Sequence, residues 1–359
     1  MTQTTTDPLV LTTGLDLGDR TTHSCTLDPN RRVVERAKFS TNRTSLKHQF
    51  EGKPRQHIVL EAGSQSLWIS HFLTELGHDV MVVDPRCIKA ITASDRKTDR
   101  RDAETLARLA LGVPEMLSCA QHRTLALQAD VSVLRSRDLL VRMRTKMVTH
   151  VRGTLKSFGV KVPACSAGCF FTRAAEHIPE SLVPALVPIL AMLEDLEHRI
   201  RALDKTAAKL AQERYPASKV LRQVRGVGPL LSLAFVVSLG DPGRFARSRS
   251  VGTWVGLVPK KRSSGDANPQ LRITKHGDRY LRRLLVISAQ YILGPFGEDC
   301  DLRRYGMKLC LRGGGNAKKR AVVAVARKLA VLLHRLWVSG APYERLRNSE
   351  RAKQHEEVA

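Results

Sequence analysis

Short apolar runs separated by polar turns dominate the first 110 residues and predict a strand-rich unit. We expect strands at five of these runs: 10–17, 21–27, 33–39, 57–61 and 80–85. The tight turns between the first three predict an antiparallel meander. The last two runs are continuously apolar and flank a segment of helical period, which indicates parallel strands joined through a helix. The N-terminal part therefore combines a meander with alternating strands and helices.

This order of elements is that of the ribonuclease H-like fold, a mixed α/β sheet. Neighbouring strand ends lie side by side in such a sheet, and two predicted strands carry an acid near or at their ends, Asp16 and Glu61. Asp99 and Asp102 lie three residues apart at the start of a helical pattern and would share one helix face. If that helix packs on the sheet, four carboxylates line one pocket, and such ligands suit Mg²⁺ or Mn²⁺. Each acid alone also fits an ordinary turn or helix start.

Long helical periods replace the strand pattern after about residue 121. Residues 125–155 form an arginine-rich helical run, and 181–210 repeats leucine and isoleucine at heptad-like spacing. Two such helices, joined through a segment at 159–179, predict an antiparallel coiled-coil arm. A helical spacer that packs on its own chain fits the same pattern equally well.

The C-terminal third carries two signals for phosphate contact between apolar helical runs. The tetrapeptide Gly226-Val227-Gly228-Pro229 joins two helical patterns, as in a helix-hairpin-helix motif, where backbone amides approach a phosphate. An ordinary tight helix turn is the alternative. Residues 260–266 then form a basic segment with serines next to a glycine. A serine ringed by cations suits attack on a phosphodiester, and a serine that only contacts phosphate or solvent is the alternative.

The composition of the chain indicates a polyanionic partner. The 359-residue chain has 59 Lys and Arg against 34 Asp and Glu, a net charge of +25. Nucleic acid is the leading explanation and an anionic membrane surface the competitor, although no segment has the apolar length of a membrane-spanning helix. The N-terminus lacks signal-peptide features, and seven scattered cysteines suggest reduced thiols in a cytosolic protein. Cys165 and Cys169 are expected to be packing residues, because no second pair with zinc spacing accompanies them.

Two sets of short motifs occur in order along nearly the whole chain. The first set is Gly14-Leu15-Asp16, Glu61-Ala62, Val83-Asp84-Pro85 and Lys97-Thr98-Asp99-Arg100-Arg101-Asp102-Ala103. The second set is Gly226-Val227-Gly228-Pro229, Gly256-Leu257-Val258-Pro259, Ser264-Gly265, Lys275-His276-Gly277 and Leu281-Arg282-Arg283-Leu284. Together they resemble the DEDD-type insertion-sequence transposases, recombinases guided by a bridge RNA, with a RuvC-like N-terminal half and a serine-bearing transposase half.

The resemblance implies a division of labour. The acidic tetrad, which would bind Mg²⁺, is Asp16, Glu61, Asp99 and Asp102. Ser264 would attack the DNA phosphate and hold a covalent phosphoserine intermediate, and the adjacent Ser263 is the alternative nucleophile. The family implies a homo-oligomer, a dimer or tetramer, that pairs the acidic site of one protomer with the serine of another. A structured guide RNA would select the double-stranded DNA by base pairing, in the bacterial cytoplasm at the nucleoid.

We expect nucleic-acid contacts from the hairpin glycines and from basic side chains around the serine: Gly226, Gly228, Lys260, Lys261, Arg262, Lys275, Arg279 and Arg282. The predicted domains are a RuvC-like metal-binding domain at 1–115, a helical coiled-coil region at 116–214, a transposase domain at 215–345 and a disordered tail at 346–359. The leading hypothesis is a DNA strand-exchange enzyme. The alternatives are a metal-dependent junction resolvase or nuclease with water as nucleophile, and a non-enzymatic nucleic-acid-binding protein.

Overall fold

The computed structural model describes residues 11–85, 99–117, 119, 122–260 and 271–347. The chain separates into two compact units, with the division between Leu125 and Ala126. The first unit contains the sheet, and the second is helical. Within the described residues, no helix is both long and apolar enough to cross a membrane.

The first unit is built on a five-stranded mixed sheet of order β3-β2-β1-β4-β5. Its strands are β1 (Thr12–Leu17), β2 (Thr21–Leu27), β3 (Val33–Ser40), β4 (His57–Glu61) and β5 (Asp79–Val83). Pairing is antiparallel from β1 to β3 and parallel for β1 with β4 and β4 with β5. The predicted meander and the predicted parallel strands are therefore confirmed, and the sheet is compatible with a ribonuclease H-like fold.

Helices cover both faces of this sheet. Successive side chains of a strand point to opposite faces, and both faces carry apolar side chains that the helices bury. The helices are α1 (Arg43–Phe50), α2 (Ser66–Glu75) and α3 (Asp99–Gly112). Leu15 and Leu60 pack with α1 and α2, where Phe50 and Leu73 are fully or almost fully buried. On the other face, the buried stripe of α3 covers β2, β1 and β4, with side chains from both layers in contact: Cys25, Leu27, Val59, Ala103, Ala107 and Ala110.

The second unit begins with two long helices that run antiparallel. They are α4 (Leu125–Ser157) and α6 (Val183–Glu213), and a short helix, α5 (Phe170–Ala175), lies between them. Three ion pairs between them show this direction: Asp130–Arg214 at 2.8 Å, Arg137–Asp204 at 2.5 Å and Arg144–Glu197 at 2.5 Å. As residue numbers increase along α4, the numbers of the paired residues decrease toward the N-terminus of α6. The antiparallel arrangement is confirmed, and coiled-coil packing stays a prediction.

The far end of this helical pair has its own small core. Val151 and Leu155 of α4 pack there against Leu186 and Leu190 of α6 and against Phe170. Cys165 is partly buried against this core, in keeping with the prediction. Cys169 is exposed, so its assignment as a packing residue is wrong: it precedes α5 in a solvent-facing turn and contacts Ser166 instead.

The remaining helices surround one almost completely apolar helix, α8, in which every residue from Leu231 to Leu239 is buried. The helices of this region are α7 (Ala217–Leu221), α8 (Pro229–Leu239), α9 (Arg249–Trp254), α10 (Arg279–Leu293), α11 (Asp301–Leu311) and α12 (Ala317–Ser339). Phe235 of α8, Leu281 of α10 and Leu329 of α12 meet in the shared core. Helices α7 and α8 flank a turn that contains Gly226 and Gly228. The identity of this turn as a nucleic-acid-binding helix-hairpin-helix stays a prediction.

Candidate active site

A glycine fixes the distance between the sheet and α3. A methyl group at the Gly14 position would lie 2.0 Å from the carbonyl oxygen of Ala103 and 2.7 Å from the backbone nitrogen of Ala107. Because glycine has no side chain, the backbones of β1 and α3 can come into direct contact at this position. This contact lies two residues before Asp16 on the strand and one residue after Asp102 on the helix.

The sheet brings Asp16 and Glu61 to neighbouring positions. Leu15 pairs with Leu60 in the parallel register of β1 and β4, so the next residues, Asp16 and Glu61, continue side by side. Neighbouring strands lie about 4.8 Å apart. Asp16 is on the same face of β1 as Gly14, and Glu61 is on the same face of β4 as Val59, which packs with α3. Both carboxylates therefore belong to the α3 side of the sheet.

The helix supplies the other two predicted acids. Asp102 lies in the first turn of α3 and is partly buried. Asp99 begins the helix, and its side chain lies outside what the structure describes. The fold thus places Asp16 and Glu61 near the C-terminal ends of the neighbouring strands β1 and β4, and Asp102 on the helix that packs on the same face. Among the described residues, however, no three His, Cys, Asp or Glu side chains stand close enough together to hold a metal ion.

A further acid of α3, Glu104, has a different role from its neighbours. Its carboxylate pairs with Arg36 of β3 and with Arg108 one turn along the helix, the latter at 2.7 Å. Hydrogen bonds from Arg108 and Arg36 hold the pKa of the Glu104 carboxyl below its usual value. Glu104 therefore ties α3 to the edge strand β3. Sequence reasoning missed this contact, because it joins residues 68 positions apart.

The segment that carries the predicted serine begins and ends at a two-stranded stem. Ser264 itself lies outside the described residues, as do Ser263, Lys261 and Arg262. The backbone nitrogen of Lys260 donates to the Arg272 carbonyl, and that of Thr274 donates to the Val258 carbonyl, both at 2.9 Å. These bonds pair the two flanks of the segment in antiparallel fashion.

Two glycines lock the base of this stem. Gly256 and Gly277 both have a left-handed backbone, with φ of 74° and 71°. A methyl group on Gly256 would lie 2.2 Å from the His276 carbonyl oxygen, and one on Gly277 would lie 2.0 Å from the Trp254 carbonyl oxygen. The two backbone segments therefore interlock, and only glycine satisfies both the conformation and the close approach.

Arg282 holds the same interlocked base. Its guanidinium donates to the carbonyls of Val255, at 2.9 Å, and His276, at 2.7 Å. Partial burial lowers the pKa of this guanidinium. In the structure its visible contacts are thus with the backbone of the stem base, and its predicted contact with nucleic acid remains a prediction.

The other predicted nucleic-acid residues occupy varied surroundings. Gly226 has φ of 89°, and a methyl group there would lie 2.9 Å from the Tyr291 ring, so this glycine permits close packing on α10. Gly228 precedes α8 and faces open space. Lys260, Lys275 and Arg279 are exposed.

Comparisons with known proteins match both halves of the chain. Residues 13–159 match a model for DEDD transposases of the IS110 type, described as transposase, and residues 218–296 match the model described as transposase IS116/IS110/IS902 family. A probable family 20 transposase of Pseudomonas aeruginosa is 30% identical over 330 residues, which cover 89% of this chain and 94% of that relative. The chain belongs to the IS110 family of transposases.

Further relatives support the same membership. The transposase for insertion sequence element IS1111A of Coxiella burnetii is 27% identical over 89% of this chain and 87% of its own length. A putative transposase of Sinorhizobium fredii, y4pF/y4sB, is 31% identical over 82% of this chain and 76% of its own length. The chain is thus an enzyme of the DNA transposase and recombinase class, and the non-enzymatic alternative is set aside.

The carboxylates of this IS110-family transposase have the donor chemistry for a divalent metal ion, although the described side chains are not clustered as a metal site. Membership of the DEDD type implies dependence on such an ion in general. Asp16, Glu61 and Asp102 carry carboxylate oxygens, the kind of ligand that hard divalent cations prefer. All three lie within the matched region 13–159.

The close approach at Gly14 predicts a large effect of a small substitution. Gly14→Ala should lower the free energy of unfolding of the transposase by about 1–3 kcal/mol, because the new methyl group displaces α3 from β1. Urea denaturation monitored by circular dichroism measures this loss. Gly63→Ala is the matched control, since that position has nothing within 4 Å. Equal unfolding midpoints for the two variants would contradict the packing argument.

Proposed function

We propose that this transposase cleaves and exchanges DNA strands with two sets of groups, a metal-binding acidic tetrad and a serine nucleophile. The tetrad is Asp16, Glu61, Asp99 and Asp102, and the nucleophile is Ser264. The single observation that supports the proposal most is the placement of Asp16 and Glu61 at neighbouring strand positions, on the face that contacts the helix of Asp102. Folding alone gives no shared reason for an acid at each of these positions. A single metal site would explain all of them.

The serine step exchanges one phosphodiester for another. Ser264 would lose its proton, and its Oγ would form a bond to phosphorus while a deoxyribose oxygen leaves and takes up a proton. The hydroxyl of the incoming strand would then attack the phosphoserine, rebuild a DNA phosphodiester and return the proton to Ser264. No external energy source is needed, because each bond broken is replaced by one of the same kind.

The acidic residues prepare the reacting phosphate in this scheme. A bound Mg²⁺ or Mn²⁺ would supply positive charge that stabilises phosphoryl transfer. Asp16, Glu61 and Asp102 would hold the ion, with Asp99 completing the set. The backbone contact at Gly14 keeps the strand and helix that carry them at a fixed separation.

The stem gives the serine segment a rigid base. The interlocked glycines Gly256 and Gly277 and the Arg282 bridge fix where the chain leaves and re-enters the fold on either side of residues 261–270. Because both ends of the segment are held in place, a nucleophile on it loses less conformational entropy when it reaches a phosphate.

The proposal extends to partners and domain roles. A structured guide RNA would choose the target and donor DNA, and a dimer or tetramer would bring the acidic site of one protomer to the serine of another. The RuvC-like domain would span 1–115, the helical coiled-coil region 116–214 and the transposase domain 215–345. Exposed Lys260, Lys275 and Arg279 and the helix-hairpin-helix at Gly226 and Gly228 would contact nucleic-acid backbone.

The proposal is tested by incubating the unmodified protein with labelled DNA and detecting protein-linked DNA. We expect a covalent protein–DNA adduct in denaturing electrophoresis, sensitive to protease and absent after chelation of divalent metal. Mg²⁺ or Mn²⁺ should restore it. The guide RNA and a DNA containing the element ends are included, since both are part of the proposal.

The same experiment separates the proposal from a resolvase or nuclease that uses water. That enzyme would cleave the labelled DNA in the presence of metal without any adduct. Cleaved DNA with free ends and no protein-linked product would therefore reject the serine nucleophile while retaining the metal site.

A further inference from the structure

A large open groove lies beside the stem in the C-terminal region. Its volume is about 1550 Å³, and its walls come from α11, α12 and the two flanks of the stem. Pro259 and Ile273, the bridged residues of the stem, form part of the lining. Anything bound in the groove would thus be next to the points where the chain enters and leaves residues 261–270.

The lining of this groove is strongly cationic. Its acidic lining residues are Asp301 and Glu344, and Lys and Arg greatly outnumber them. Glu344 pairs with Arg347, outside the lining. Several lining cations form no ion pair with any carboxylate in the described part of the chain: Arg249, Arg312, Lys319, Arg327 and Arg335. Accumulated cations without counter-charges repel one another, so the groove is suited to a polyanion.

Three arginines of α12 form a spaced row along the groove. Arg320, Arg327 and Arg335 line the groove, while Ala321, Leu329 and other apolar residues of the opposite face are buried. From the first to the last arginine the helix rises about 22 Å. B-form DNA covers that length in about six base pairs, at about 3.4 Å per pair. The row therefore matches a stretch of duplex backbone in length as well as in charge.

The aromatic residues of the groove are occupied within the protein. The Nζ atom of Lys328 lies 3.7 Å from the centre of the Tyr305 ring, and Tyr343 is partly buried. Proteins that bind single strands without sequence preference use exposed aromatic rings to stack the bases. The groove offers charge without such stacking, which favours contact with the backbone of a duplex.

We propose that this groove binds the sugar-phosphate backbone of double-stranded DNA and guides it to the stem of the serine segment. The inference deepens the proposed function and rests on it for the choice of DNA as the polyanion. It adds Arg312, Lys319, Arg327 and Arg335, which the sequence did not single out, to the residues that contact nucleic acid. Because the contacts are with phosphates, binding is independent of sequence and sensitive to salt.

A pair of double variants tests the groove. Arg327→Gln with Arg335→Gln removes two exposed groove cations, and Lys308→Gln with Lys318→Gln removes two exposed cations of α11 and α12 outside the lining. Binding of a short DNA duplex is measured by fluorescence anisotropy from about 50 to 200 mM salt. Removing two phosphate contacts should reduce the slope of log K against log salt by about 2 in the groove variant. Over that range its affinity should fall roughly tenfold less than that of the unmodified protein.

The control variant should keep the slope of the unmodified protein. Equal slopes for the groove variant and the unmodified protein, or an equal reduction in both variants, would overturn the inference. It would also be overturned by a groove variant that binds duplex DNA normally and loses only a structured RNA. If thermal unfolding shows that the groove variant is misfolded, Lys319→Gln with Arg312→Gln takes its place. Binding is measured without strand exchange, so a failed adduct test of the serine mechanism leaves this result interpretable.

Discussion

Replacing Ser264 with alanine is expected to abolish the covalent protein–DNA adduct and to reduce strand exchange by at least about three orders of magnitude. The substitution removes one hydroxyl oxygen and no charge. Affinity for duplex DNA should therefore stay within about twofold of the unmodified protein, because phosphate contacts depend on the surrounding cations. Denaturing electrophoresis of labelled DNA measures the adduct, and anisotropy measures binding on the same preparations.

Ser263→Ala is the matched control for this prediction. It makes the same chemical change at the neighbouring position of the same basic segment. We expect it to retain the adduct. If Ser263→Ala abolishes the adduct and Ser264→Ala retains it, the nucleophile is Ser263. If both variants form the adduct, the serine mechanism is wrong, and metal-activated water becomes the preferred nucleophile.

The sequence predicted the elements whose signals are local. Strands β2 and β4 were placed to the residue, because each is a compact run between turn residues. The helix of Asp102 was also expected, as was the antiparallel course of α4 and α6. In these cases the hydrophobic period of the segment itself carries the information.

Helix α11 was missed because its stability depends on distant neighbours. It has a mixed polar sequence with Gly306 near its middle, which weakens a helix considered alone. In the structure Gly306 is buried, and a methyl group there would lie 2.5 Å from a Leu293 methyl and 2.7 Å from a Val325 methyl. The glycine permits α11 to pack closely on α10 and α12, and this requirement is tertiary.

The candidate site shows the same limit. The proximity of Asp16 and Glu61 followed from parallel strand order alone. The close contact between Gly14 and Ala103 did not, because the two residues are far apart in sequence. Arg282 shows a structural role that charge alone did not predict: its guanidinium bridges two backbone carbonyls, while its contact with nucleic acid stays a prediction.

Asp102→Asn is expected to reduce DNA cleavage and strand exchange by about 10²- to 10⁴-fold. The side chain keeps its size, but the neutral amide is a weaker ligand for a divalent cation than a carboxylate. The remaining activity should require a higher concentration of Mg²⁺ or Mn²⁺ than the unmodified protein does. A metal titration of adduct formation measures this shift, and unchanged duplex affinity would show that the DNA-binding surfaces are intact.

Glu104→Gln separates this effect from a general loss of negative charge on α3. It makes the same chemical change two residues along the same helix. Glu104, however, bonds to Arg36 and Arg108 rather than facing the acidic residues of the sheet. Its substitution should lower stability slightly, by about 1 kcal/mol or less for ion pairs this exposed, and leave the metal requirement unchanged. If the two variants shift the metal titration equally, charge on the helix rather than ligation explains the effect. If neither shifts it, Asp102 is not a ligand, and the metal site must be sought at Asp16 and Glu61 without the helix.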